Sequence, residues 1–148
     1  MKRRLLLPLF LVVFFGKTAA QTCLPGGITF TSQSQINNFA VNYPGCTQIL
    51  GNVTINSSSI TNLNGLSQIT AINGTLHIAR CNASNLTGLG NLTTIGGDLK
   101  FNVPPTNQYF NYLPNLNSLA ALSNLTSIGG NITLTYLPAL TSLNGLQN

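Results

Sequence analysis

The 148-residue chain has no tryptophan, one histidine, one methionine and one acidic residue, Asp98. With a single carboxylate side chain it cannot build the paired-carboxylate site of a glycosidase, in which one group protonates and the other attacks or activates water. The scarcity of ligand-type residues matters too. His77, Cys81 and Asp98 show neither C-x-x-C nor H-x-x-x-H spacing, so no metal or cofactor is expected. Positive charge is also sparse where it would count, since Lys2, Arg3, Arg4 and Lys17 are four of the six basic residues and all lie near the N-terminus. Downstream, Arg80 and Lys100 stand against Asp98, a formal +1 that offers no basic stripe for phosphate and argues against a nucleic-acid partner.

Low charge here does not mean disorder, because 43% of the residues are hydrophobic and the polar remainder is mostly Asn, Thr, Ser and Gly. Residues 1–20 read as a signal peptide, with Lys2, Arg3 and Arg4 as the basic start, Leu5 to Phe15 as the apolar run and Thr18-Ala19-Ala20 as the cleavage site. That run is shorter than the roughly twenty apolar residues that span a bilayer, so no membrane insertion is expected after cleavage; a retained anchor is the lesser alternative. Export permits disulfides. Cys23 and Cys46 bracket a compact N-terminal segment and are the expected pair, leaving Cys81 as a small rung residue rather than a nucleophile.

The strongest signal is internal repetition. Gly51-Asn-Val-Thr-Ile55, Gly74-Thr-Leu-His-Ile78, Gly97-Asp-Leu-Lys-Phe101 and Gly130-Asn-Ile-Thr-Leu134 align, and a fixed period of this kind marks a solenoid, in which each repeat buries its apolar face only by stacking on its neighbours. Alternation puts Val53, Ile55, Leu76, Ile78, Leu99, Phe101, Ile132 and Leu134 on the core face. Between the strands apolar residues recur every third position, as in Leu63, Leu66, Ile69, Ile72 and again in Leu86, Leu89, Leu92, Ile95. Three-residue steps drift by about 60° each around an α-helix, so they form no stripe, and a polygonal coil of short extended sides fits better.

Upstream, Ser32-Gln-Ser-Gln35 matches a capping box, and Ile36, Phe39, Ala40 and Tyr43 fall at helical spacing before Pro44-Gly45. The expected organisation is therefore a signal peptide at 1–20, a disulfide-tied helical cap at 21–48, and repeats at 49–148 whose last rung is incomplete. The fold class is an all-β parallel solenoid of about four rungs. Its last edge invites self-association, because an uncovered strand pairs readily.

The Cys23 to Cys46 opening followed by Gly51-Asn-Val-Thr-Ile55, together with Leu-Thr-Thr-Ile-Gly-Gly at 92–97 and Leu-Thr-Ser-Ile-Gly-Gly at 125–130, resembles the receptor L-domain family. The resemblance implies a right-handed, leucine-rich-type single-stranded β-helix used for extracellular recognition, and the wording is most similar to secreted bacterial surface proteins. It carries no ligand, because function resides in sites rather than folds.

Candidate contacts come from two places. On the outer sheet face the alternation yields one column of Asn52, Thr75, Asp98 and Asn131 and another of Thr54, His77, Lys100 and Thr133, with Asp98 and Lys100 placed as a weak surface ion pair. The ten-residue insertion after Phe101 carries Tyr109, Phe110 and Tyr112, which either recognise a partner or fold back over the third coil. Eight Asn-x-Ser/Thr sequons, at Asn52, Asn56, Asn73, Asn82, Asn85, Asn91, Asn124 and Asn131, are read as by-products of the repeat rather than glycan sites. No catalytic residue is expected. These features point to a secreted or cell-surface binding module for a protein or glycan, the alternative being a structural spacer within a larger surface or adhesin protein.

Overall fold

The computed structural model describes residues 20–101 and 113–147. The segment read as a signal peptide, up to residue 19, and the insertion bearing Tyr109, Phe110 and Tyr112 lie outside the described residues.

Strands rich in Val, Ile and Thr form two five-stranded parallel sheets, and successive strands of the chain alternate between them. The first sheet holds β1 (Gln21–Cys23), β3 (Cys46–Ile49), β5 (Ala71–Ile72), β7 (Thr94–Ile95) and β9 (Ser127–Ile128), in that order. The second holds β2 (Ile28–Phe30), β4 (Val53–Asn56), β6 (Leu76–Arg80), β8 (Leu99–Phe101) and β10 (Ile132–Leu134). Four strands of the second sheet are those the repeat comparison aligned. The sequence comparison did not find β2, nor any strand of the first sheet. In the second sheet Ile28 pairs with Val53, Val53 with Leu76, Leu76 with Leu99, and Leu99 with Ile132, and the register shifts only at the end of β4, between Ile55 and Asn56.

The segments between the sheets explain the three-residue apolar period. Single 3-10 turns at Asn64–Leu66, Thr87–Leu89 and Ala120–Asn124 repeat every three residues, so Leu63 and Leu66, or Leu86 and Leu89, point the same way. Together with the strands' inward residues these side chains make one continuous core in which Ile60, Leu63, Leu76, Ile78, Leu86, Leu99, Phe101, Leu116 and Leu119 are fully buried. After the insertion the chain re-enters that core at Leu113.

Two expectations change at the ends. The single helix expected over residues 32–43 is two short helices, α1 (Gln33–Asn37) and α2 (Phe39–Asn42), separated at Asn38, whose φ of −93° and ψ of 6° leave the helical range. The capping box is present, with Gln35 N–H donating to the Ser32 hydroxyl and the Gln35 carboxamide oxygen accepting from Ser32 N–H. Ile36 and Phe39 are buried as the spacing requires, but Ala40 is exposed. Ile132 also departs from its assignment to the core. It is 48% exposed, against 2% or less for Val53, Leu76 and Leu99 at equivalent places, because β10 ends its sheet among the described strands.

Cys23 and Cys46 form the disulfide, which joins β1 to β3 with their Cα atoms 5.6 Å apart. Cys81 is free and buried in the core. Closing a 23-residue separation contributes about 3 kcal/mol by reducing the freedom of the unfolded chain.

Backbone packing between repeats is tight enough to exclude a methyl group at several glycines. A Cβ on Gly88 would strike the Leu63 carbonyl, and one on Gly65 the Ile36 carbonyl, whereas Gly26 has nothing within 4 Å. Gly88→Ala is expected to lower the unfolding free energy by about 3 kcal/mol, as overpacking against backbone does, while Gly26→Ala changes it by less than about 0.5 kcal/mol. Urea denaturation of the two variants beside the parent checks both values.

Candidate functional site

The outer face of the second sheet carries the residues singled out from the repeats, and the two columns there have different fates. Thr54, His77, Lys100 and Thr133 stand in unbroken cross-strand register, Thr54 opposite His77, His77 opposite Lys100 and Lys100 opposite Thr133. All four are half-buried. Thr29 of β2, opposite Thr54, extends the row by one residue that repeat matching did not include.

The neighbouring column is engaged in holding the repeats together. The Asn52 side-chain oxygen accepts from Thr75 N–H at 2.8 Å, the Thr75 hydroxyl oxygen accepts from Asp98 N–H at 3.1 Å, and an Asp98 carboxylate oxygen accepts from Asn131 N–H at 2.8 Å. Each member satisfies a backbone donor of the next repeat, so Asn52, Thr75 and Asp98 are bracing groups before they are contact groups. A short side chain with an acceptor at the γ or δ position is all this role demands. That explains why Asn, Thr and Asp alternate there without pattern.

Similar bracing occupies several sequons. The side-chain amides of Asn82, Asn91 and Asn124 donate to the carbonyls of Ser58, Ser67 and Gly90 in the preceding repeat at 2.7–2.8 Å. Asn56, at the end of β4, is exposed.

Charge on the face is concentrated at one point. Lys100 Nζ lies 2.6 Å from an Asp98 oxygen, and the two side chains are 36% and 26% exposed, which makes their pairing a screened surface interaction of small net value. The Lys100 ammonium, with the Asn131 N–H second, holds the Asp98 carboxyl below its ordinary 3.8. His77 is shifted downward from 6.5, first by burial and then by the Lys100 charge across the strand. Its Nε2 is buried and has no hydrogen-bond partner among the described residues. The imidazole is therefore neutral at physiological pH, and its only carboxylate neighbour in the sheet, Asp98, is committed to Lys100 and Asn131. Nothing here links His77 to a nucleophile. Burial likewise raises the Cys81 thiol, keeping it protonated and unreactive inside the core.

Both shifts give stability the same pH slope. The unfolded chain binds a proton at His77 below about 6.5 and at Asp98 below about 3.8, where the folded chain still resists protonation, so each contribution is present at higher pH and lost on acidification. The unfolding free energy should fall in two steps, the first setting in as the pH drops below 6.5 and absent in His77→Gln, the second below 3.8 and absent in Asp98→Asn. Denaturant titrations at half-unit pH intervals resolve them, and a flat profile between pH 7 and 4 in the parent chain would remove His77 from the account.

No curated protein and no solved structure matches the chain. The family model for the receptor L domain matches residues 45–119, a span that contains β3 to β8, with Thr54, His77 and Lys100 but not Thr133, and half of the chain. That family comprises ligand-binding modules of receptors. With two parallel sheets, little helix and this match, the chain belongs to the receptor L domain family.

Proposed function

We propose that the protein is a secreted or cell-surface, non-enzymatic recognition module, and that the outer face of the second sheet is where it meets its ligand. The observation that carries this reading is the row of Thr54, His77, Lys100 and Thr133, held in strict register on a family scaffold whose members bind ligands. The adjacent bracing column leaves Thr54 and Thr133 with hydroxyl groups and Lys100 with an ammonium that is paired to Asp98 at the surface, on strands about 4.8 Å apart, with the half-buried His77 ring between them. Such a row suits hydrogen bonding to a glycan or to the polar surface of a protein. Lys100 precedes Phe101, after which the chain continues into the insertion with Tyr109, Phe110 and Tyr112, and these aromatics are proposed as the apolar half of the same site.

On this reading the two sheets are walls of one right-handed solenoid of four to five rungs, α1 and α2 cover its N-terminal end, and residues 1–20 direct export before removal. Alternation of successive strands between the sheets supports the winding, and the packing of buried Ile36 and Phe39 into the core supports the cap. The disulfide supports an oxidising, extracellular setting, and the Leu-Thr-x-Ile-Gly-Gly wording supports a place among bacterial surface proteins.

A spacer role, in which the rungs serve reach and self-associate at the C-terminal edge, draws on the bracing between repeats and on the exposure of Ile132 and Leu143 there. The two readings separate on an array of immobilised glycans and purified extracellular proteins. Recognition expects a saturable ligand whose capture falls about tenfold or more in Lys100→Ala and in the Tyr109/Phe110/Tyr112→Ala triple variant, with unchanged unfolding midpoints. No saturable ligand, with concentration-dependent oligomers that dissolve in Ile132→Lys, would establish the spacer.

A further inference from the structure

We propose that Asn73 is a site of spontaneous deamidation in the folded protein, where attack by the Gly74 nitrogen exchanges the side-chain amide for a carboxylate. Asn73 is exposed in the bend that leads from β5 to β6, and the glycine after it puts no side chain beside the attacking nitrogen. The main chain of this bend lacks a bond that its counterparts have. Gly51 N–H donates to Leu24 O at 3.1 Å, Gly97 N–H to Gly74 O at 3.0 Å and Gly130 N–H to Gly97 O at 2.9 Å, so at three corners the glycine nitrogen is tied to the preceding repeat. Gly74 N–H has no acceptor, and Asn73 O no donor, among the described residues. Asn73 N–H donates to Ile49 O and Thr75 N–H to the Asn52 side chain, both at 2.8 Å, so the bend is pinned on either side of a peptide link whose rotation costs no hydrogen bond.

The side chain is already held for the reaction. Gln48 Nε2 donates to Asn73 Oδ1 at 2.7 Å, which draws electron density from Cγ and sets a donor on the oxygen that becomes negative as a nitrogen adds to that carbon. Gln48 lies on β3 in register with Ala71 of β5, so the sheet fixes the position of this donor. The other two Asn-Gly pairs sit inside closed turns. Leu66 N–H donates to Leu63 O across Asn64 and Gly65 at 2.9 Å, with Ser67 N–H on Asn64 O at 3.3 Å, and Leu146 N–H donates to Leu143 O across Asn144 and Gly145 at 3.1 Å. Attack at either pair has to open its turn first.

In the reaction the Gly74 nitrogen bonds to Asn73 Cγ and passes its proton to water, the Cγ–Nδ2 bond breaks, and ammonia leaves behind a cyclic imide. Water then opens the imide at Cγ to give aspartate, or at the main-chain carbonyl carbon to give isoaspartate, and no other reactant is consumed. The two products differ in how they suit the stack. Aspartate keeps an acceptor for Gln48 and cancels the formal +1 that Arg80, Lys100 and Asp98 leave downstream of Lys17. Isoaspartate lengthens the main chain at a place where Gly96 approaches Asn73 O too closely for a Cβ, so it forces the two repeats apart.

The test is peptide mapping by mass spectrometry of the full chain held folded in mildly alkaline buffer, beside the same chain unfolded in urea. In urea only local sequence acts, and the three Asn-Gly peptides should react at similar rates. In the folded chain the Asn73 peptide should gain aspartate and isoaspartate about tenfold or more faster than the Asn64 peptide, the factor that turn-closing hydrogen bonds are worth. Gln48→Ala, checked for folding by circular dichroism, should slow the folded-state reaction at Asn73 about threefold or more, water replacing only part of a fixed donor, and leave the rate in urea unchanged. Asn64 or Asn144 reacting before Asn73 in the folded chain would overturn the inference, as would a folded-state rate at Asn73 that Gln48→Ala leaves untouched.

Discussion

Everything in this molecule depends on how closely one repeat's backbone can approach the next. Gly74 stacks on Gly51, Gly97 on Gly74 and Gly130 on Gly97, each with no room for a Cβ between itself and the backbone or bracing side chain below. A second glycine series, Gly65, Gly88 and Gly145, lies against the carbonyls of Ile36, Leu63 and Leu119. These contacts fix the rise per repeat at strand spacing, and only at that spacing do Val53, Leu76 and Leu99 stack into a core without gaps. The low charge follows from the same constraint. Identical positions on successive repeats are neighbours, so a charge placed in a repeat motif would face its own copy, whereas Asn, Thr and Ser can donate to or accept from theirs.

The division of labour across the outer face comes from this geometry. A side chain directly after the glycine bend lies beside the N–H of the next repeat, and Asn52, Thr75 and Asp98 each accept from it. Two residues on, the backbone is already paired within the sheet, and Thr54, His77, Lys100 and Thr133 have no backbone group to serve. Chemical variety is tolerated at the second position and not at the first. His77 and Lys100 can stand there without disturbing the stack; burial first and the neighbouring lysine second depress the affinity of His77 for protons, and the lysine leads the same effect at Asp98.

How much of this was legible in the sequence varies by element. The strands of the second sheet could be read because a glycine and two alternating aliphatics recur in each, and the disulfide because Cys23 and Cys46 bracket the region before the first repeat. Three strands of the first sheet were hidden by their length: Ala71–Ile72, Thr94–Ile95 and Ser127–Ile128 are too short for alternation to register. The three-residue period was noticed but not identified as a 3-10 turn, although a repeat of three per turn is what that helix has. β2 was missed because Gly27-Ile28-Thr29-Phe30 lies before the disulfide's second cysteine, in a stretch assigned to the cap, and lacks the Asn, Thr or Asp that follows glycine in the four aligned repeats. The bracing by Asn52, Thr75 and Asp98 could not be read from the repeat, for a physical reason. Alternation tells which side of a sheet a residue occupies, but not whether a backbone donor from the neighbouring strand lies within reach.

A fold built by one repeated contact has a property that a globular core lacks: its end presents the same surface that every internal layer has already used. In a packed helical domain the exposed surface is chemically unlike the core, so exposure and recognition are decided by different residues. Here Ile128 and Ile132 occupy core register positions, and what distinguishes them from Ile95 and Leu99 is that no following strand covers them among the described residues. The energy that binds one repeat to the next is therefore also the energy available to whatever meets the edge, through the same carbonyls and the same aliphatic contacts. The outer face differs in kind, since its groups are side chains that the stack does not need. On a scaffold of this type the row of outer side chains and the backbone edge are built from different groups, and a substitution in either leaves the contacts of the other in place.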